Sequence, residues 1–241
     1  MSLDAELVTA TAADLAAGLK RKSFSAQELC EASIARIETL DPQINAVVVR
    51  DFERARSEAR VADNLIARGE TKPLLGIPMT VKESFDLRGH PTTWGFPEHH
   101  EHRAREDAIV VHRLKAAGAV VLGKTNVPPA LADWQSANPI YGRTNNPHDP
   151  TRSAGGSSGG SAAAIAMGFS ALEVGSDIGG SVRVPAAFCG VFGHKASYGV
   201  IPMGGHMYGG QLVAPVLLGV IGPIARSAED LVSVLDVIAG P

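Results

Sequence analysis

Three stretches of this chain are richer in reactive groups than packing requires. The first is Gly155–Ser161, Gly-Gly-Ser-Ser-Gly-Gly-Ser. Its glycines allow backbone geometries and close approaches closed to other residues, and its serines supply hydroxyls. An alanine-rich helical segment, Ser161–Met167, follows at once. That argues for a built loop over a flexible linker. The second is Asp177–Ser181, Asp-Ile-Gly-Gly-Ser, between a strand-like run at Leu172–Gly175 and a short helical piece at Val182–Phe188. Successive N–H groups in such a step form a nest for an anion or a developing oxyanion. Ser181 beside it is placed as a nucleophile; the plain alternative is a turn in which Ser181 caps a helix. The third is Lys82, which closes the apolar run Ile77–Val81. Burial there favours the neutral amine, and a neutral lysine is a competent base toward a serine hydroxyl. The plain alternative is a lysine reaching from a strand end into water.

The elements that must position these groups can be read in outline. The first seventy residues are mainly helical. Ser25 and Glu28 form a capping box ahead of an apolar stripe of Leu29, Ile34, Ile37 and Leu40, and Asp41-Pro42 is expected to end that helix. A strand within Asn45–Arg50 and a charged helix over Asp51–Arg68 follow. Beyond them come a helix at Asp107–Ala117, a buried strand at Ala119–Leu122, a strand at Val191–His194, and a last helix, Ala228–Ile238, capped by Ser227. Pro91–Arg103 and Pro128–Ser153 read as long loops, which in compact domains are often functional. The alternation of strands and helices predicts an α/β core. With no internal repeat or linker, 1–241 is expected to be a single domain, a helical layer over 1–70 and a core over 71–241. Gly240-Pro241 reads as a lead into further chain.

Composition narrows the field. With 241 residues, 45% of them hydrophobic, and a net charge of −3, the chain can bury a sizeable core and is not globally disordered. Its mild acidity argues against nucleic acid as a main partner. Cys30 and Cys189 build no disulfide framework. There is no signal-peptide pattern. The longest apolar run, Leu212–Ala225, falls short of the ~20 residues that span a bilayer. The expectation is a soluble cytoplasmic protein without membrane contact.

Lys82 together with GGSSGGS and DIGGSVRVPAAFCG resembles the amidase signature family of serine hydrolases. The resemblance runs from about Leu74 to Pro241, through PLLGIPMTVKE, GKTNVP, YGRTNNPHDPTRSAGGSSGGSAAA and GPIARSAEDLVSVLDVIAGP. The loop Leu131–Ser136, LADWQS, is similar to one branch of bacterial amidases. The resemblance implies a central mixed β-sheet covered by helices. It implies a Ser–cis-Ser–Lys triad, with Ser181 the nucleophile, Ser157 the bridging serine in a cis peptide, and Lys82 the base. The N–H groups of Ile178, Gly179, Gly180 and Ser181 would hold the oxyanion, with Ser158, Asp177 and Arg183 supporting by hydrogen bonds. The implied reaction is hydrolysis of a small-molecule amide through an acyl-enzyme, with no cofactor and no metal. Trp134 and Tyr141, ahead of the Gly/Ser segment, would line an apolar acyl site, although ordinary loop packing accounts for them equally well.

Members of that family are longer, and this chain matches their N-terminal half. A second expectation follows: a truncated, inactive or partner-dependent fragment, needing a complementing C-terminal half or self-association into a homo-oligomer to cover an apolar face. Ala154 and Ala196 stand where relatives often carry proline, which frees the backbone there.

Three other motifs compete. Gly118–Thr125 fits the P-loop string, but its centre is apolar and strand-like and Asn126-Val127-Pro128-Pro129 follows where a helix is required. Gly155–Gly159 fits the GxSxG elbow of α/β-hydrolases, with Ser157 as nucleophile and His194 or His206 as base. An elbow must follow a strand, and this reading leaves Lys82 and DIGGS unexplained. Glu98–His102 contains metal-ligand types, but a solvated loop is the simpler reading. Cys189 reads as a small buried residue.

Overall fold

Side-chain caps start the first long helices. In the computed structural model, which describes residues 3–206 and 218–241, the chain opens with α1 (Leu3–Thr9), α2 (Ala12–Lys20) and α3 (Ala26–Ile44). Thr11 and Ser25 each accept a hydrogen bond from the backbone three residues on, and Asp14 and Glu28 reciprocate. Asp41-Pro42 does not end α3, contrary to expectation. The helix runs on to Ile44 and stops at Asn45, whose φ is 58°. The carbonyl that Pro42 leaves without a donor is that of exposed Glu38, where water can replace the lost bond.

After β1 (Val47–Arg50) comes α4 (Phe52–Ala67), which buries Ala55, Ala59 and Ala62. Then follow β2 (Pro78–Lys82), α5 (Ile109–Ala116), β3 (Val120–Thr125), a small hairpin of β4 (Ala137–Asn138) and β5 (Gly142–Arg143), α6 (Gly159–Ala166), β6 (Leu172–Asp177), α7 (Arg183–Cys189), β7 (Phe192–Gly193), β8 (Val220–Ala225) and α8 (Ala228–Ile238).

Six strands form one mixed sheet in the order β1-β3-β2-β6-β8-β7. β2 runs parallel to both β3 and β6, and the remaining pairings are antiparallel. Every residue of β2, β3, β6 and β8 is buried, as expected of strands covered on both faces. β8 was not anticipated as a strand. Gly222 and Pro223 interrupt its pattern, and the start of the apolar run that contains it, 212–217, lies outside the described residues. α6 lies across β2, β3, β6 and β8. A single large apolar cluster joins the N-terminal helices to the sheet.

Because β2 and β6 are parallel neighbours, their carboxyl ends meet. Lys82 and Asp177 are the last residues of the two strands. In α/β sheets that edge is where ligands bind. Among the described residues no helix is long and apolar enough to cross a membrane.

Candidate active site

Lys82 has no solvent exposure. Its Nζ donates to Ser157 Oγ at 2.7 Å, Ser176 Oγ at 3.0 Å and the Ser176 carbonyl at 3.4 Å. Burial lowers its pKa to about 7, against the opposing pull of negative charge at Asp177 and, when it is ionised, Glu173. It is not the solvated lysine of the plain alternative.

Ser157 follows a cis peptide bond, Gly156–Ser157. The loop is held from outside by Ser136. That hydroxyl contacts the carbonyls of Gly155 and Ser157, both at 3.3 Å, and accepts the Gly159 amide at 2.8 Å. The backbone of 133–135 approaches Gly156 so closely that a Cβ there would lie 2.7 Å from the Asp133 carbonyl oxygen. Gly155–Ser158 is therefore a packed loop, and Gly159–Ser161 open α6.

Ser181 is half-buried. Its carbonyl accepts the Ser158 amide at 3.1 Å, which ties its backbone to the cis-serine loop. α7 begins at Arg183 with Val182 as its cap, so Ser181 is not the capping residue of the plain reading. Asp177 organises the turn between them. It accepts the amides of Gly180 (2.8 Å) and Val182 (3.1 Å) and the Arg183 guanidinium through Nε (3.0 Å) and Nη2 (3.1 Å). Burial alone would raise its pKa, but these bonds hold it at about 2. The Gly180 amide was expected among the oxyanion donors; here it is already committed to Asp177, because the turn folds back on that carboxylate. Ser158 Oγ lies 3.5 Å from the Ser176 carbonyl.

Trp134, with 57% of its surface exposed, lies over this turn, its indole within 3.7 Å of where a Gly180 Cβ would stand. Tyr141 belongs to the β4–β5 hairpin, with its amide on Asn138 Oδ1 (2.8 Å) and its carbonyl on Asn45 Nδ2 (2.7 Å). Burial raises its phenol pKa. The residues that sequence reasoning missed are Ser136, Ser176 and Glu173. A lone serine or glutamate carries no motif; only the register of β6 and the path of the 131–136 loop bring them here.

Neither histidine meets the elbow reading. His206 Nε2 lies 3.0 Å from Ser84 Oγ, its ring stands 4.5 Å from that of Phe85 and 5.0 Å from that of Trp94, and burial holds its pKa at about 3. His194 is exposed, and no strand leads into Gly155. Six of the eight residues of the P-loop string, Val120–Thr125, form strand β3, and a short 3-10 turn at Pro129–Leu131 follows. Cys30 and Cys189 are buried and unpaired.

The carboxyl ends of two parallel strands thus bring together a buried lysine, a serine after a cis peptide and a glycine-rich turn. The family model described as Amidase matches residues 28–241, and the chain belongs to that family. It is 42% identical over 235 residues to fatty-acid amide hydrolase 2 of Homo sapiens, covering 94% of this chain and 44% of that protein. It is also 42% identical over 230 residues to a glutamyl-tRNA(Gln) amidotransferase subunit of Methylococcus capsulatus, covering 95% and 46%. Among solved structures, one described as a vestigial protein complex bearing on the origins of an s-triazine catabolic enzyme superposes with a TM-score of 0.91 at 42% identity, covering 96% of this chain and 50% of that one. The chain thus spans about half the length of the relatives it matches.

Proposed function

We propose that this chain carries the acylating centre of an amide hydrolase. The observation that supports it most is the 2.7 Å contact between a fully buried Lys82 amine and Ser157 Oγ. Neutral Lys82 takes the Ser157 proton as Ser157 takes that of Ser181. Ser181 Oγ attacks the amide carbonyl, and the amides of Ile178 and Gly179 steady the oxyanion, with Gly180 shaping the turn through Asp177. One well-placed donor of this kind contributes ~3 kcal/mol to lowering the barrier. The proton returns through Ser157 to the leaving nitrogen as the C–N bond breaks, and water then hydrolyses the ester to the carboxylic acid. Asp177 and Arg183 hold the turn, Ser158 holds the cis-serine loop against it, and Trp134 forms one wall for the acyl group of a small amide. Tyr141 is half-buried in the hairpin, with its phenol near Thr93.

A second reading is favoured by the coverage of 44% of a relative and by the exposure of Phe188, Phe192, Tyr198 and Leu218. Residues 1–241 are then the N-terminal part of one amidase domain, and full activity requires a complementing half, as further chain, a partner or a second copy.

Intact mass after exposure to a fluorophosphonate separates the two. A single adduct absent from Ser181→Ala supports an assembled centre. No adduct on a cooperatively folded chain refutes an autonomous centre and favours the dependent one.

A further inference from the structure

Beneath the lysine and the serines lies a polar layer that the reaction scheme leaves without a task. Glu173 sits in β6 directly opposite Thr80 of β2, and Lys82, two residues along β2, pairs with Thr125 of β3. Thr80, Lys82 and Glu173 therefore share one face of the sheet. Glu173, Thr80, Thr125, Ser161 and Ser170 are all fully buried. The Thr80 hydroxyl donates to Glu173 Oε2 and lies 3.0 Å from Ser170 Oγ. The Thr125 hydroxyl lies 3.4 Å from Glu173 Oε1 and 2.8 Å from Ser161 Oγ, on the first turn of α6. One carboxyl group thus joins three elements: the strand that ends in Lys82, the neighbouring strand β3, and the helix that begins directly after Ser157-Ser158.

A glutamate in an apolar core is costly, and a leucine would pack there more simply. Burial raises its pKa to about 8, so near neutrality it is a carboxylic acid, donor and acceptor at once. Its ionised form would pull the Lys82 pKa upward, away from the neutral amine that a base requires.

We propose that Glu173 is a positioning residue: through Thr80, Thr125 and Ser161 it fixes the Lys82 strand against the first turn of α6 and so sets the Lys82–Ser157 contact. This rests on the roles proposed for Lys82, Ser157 and Ser181. Glutamine keeps a donor and an acceptor on the same frame, whereas leucine fills the space without either.

The test compares fluorophosphonate labelling of the full chain with that of Glu173→Gln and Glu173→Leu, reading the maximal rate and the half-saturating probe concentration separately. Glu173→Leu should lower the maximal rate by about tenfold or more, the scale of one buried hydrogen bond, with the half-saturating concentration within about twofold. Glu173→Gln should restore most of the rate. Loss of fold alone reduces the fraction labelled and leaves the rate of that fraction intact. A Glu173→Leu protein labelling at the wild-type rate, or a Glu173→Gln protein as slow as Glu173→Leu, overturns the proposal. Hydrogen exchange over α6, measured on the same proteins, needs no nucleophile. It should quicken by about tenfold in Glu173→Leu and not in Glu173→Gln. Equal exchange in all three overturns the clasp even if the chain never labels, whereas absent labelling with the expected exchange faults only the reaction scheme.

Discussion

Two fully buried lysines stand on adjacent strands, and they are not equivalent. Lys82 ends β2, and Lys124 lies in β3, paired with Val81. Burial lowers both, Lys82 to about 7 and Lys124 to about 8. Lys82 faces hydroxyls that can exchange a proton, Ser157 on its packed loop and Ser176 in β6. Lys124 donates to the Pro91 carbonyl and to Thr92 Oγ1 at 3.0 Å. Next to it Glu83 accepts the amides of Thr93 at 2.7 Å and Trp94 at 3.0 Å. Lys124 and Glu83 therefore pin the 91–94 loop. A lowered pKa comes from burial in both places, so it marks no function by itself; the chemistry of the acceptor separates base from strut.

Exchange of each lysine for methionine should break this comparison most sharply. Lys82→Met should lower the rate of fluorophosphonate labelling by about a thousandfold or more. Lys124→Met should leave the labelling rate of the folded fraction within about threefold, and should destabilise by about 2 kcal/mol, because the Pro91 carbonyl and Thr92 lose their buried donor. Equal loss of labelling in both would remove the distinction.

A second, smaller effect is the pH dependence of stability. Each lysine has a folded pKa below its ordinary 10.5, so the unfolded chain binds more protons and stability rises with pH, from about 7 to 10.5 for Lys82 and from about 8 for Lys124. Glu173, raised from 4.5 to about 8, gives the opposite slope below pH 8, and the two thiols, raised from 9.0 to about 12, oppose it above pH 9. The difference between wild type and each methionine variant cancels those terms. Denaturant titrations should show the rise lost between about 7 and 10.5 in Lys82→Met and between about 8 and 10.5 in Lys124→Met. Identical pH slopes in wild type and Lys82→Met would mean that Lys82 is not depressed. The smallest effect belongs to Thr92→Val, about 1 kcal/mol of stability with unchanged labelling; a larger loss would give this hydroxyl more of the pinning than the Pro91 carbonyl.

Much of this was legible in the chain and some was not. The capping box at Ser25–Glu28 and the stripe behind it specified a helix, as did Ser227 ahead of α8, because these signals are local. Strand β8 was hidden, because pairing with β6 and β7 rather than its own pattern makes it a strand. The Gly180 amide, expected among the oxyanion donors, bonds Asp177 instead, since its partner depends on how the turn folds over that carboxylate.

By itself the sequence determined which groups exist and in what order they come: a lysine closing an apolar run, a serine among glycines, and a second serine after Asp-Ile-Gly-Gly. It determined the family as well, since those types and spacings recur together. Only the tertiary structure decided which lysine faces a hydroxyl, that Ser136 holds the loop, and that Glu173 lies under it. Those outcomes depend on strand register, on the crossover through α6 and on what excludes water from each amine, and none of these is a property of neighbouring residues in the chain.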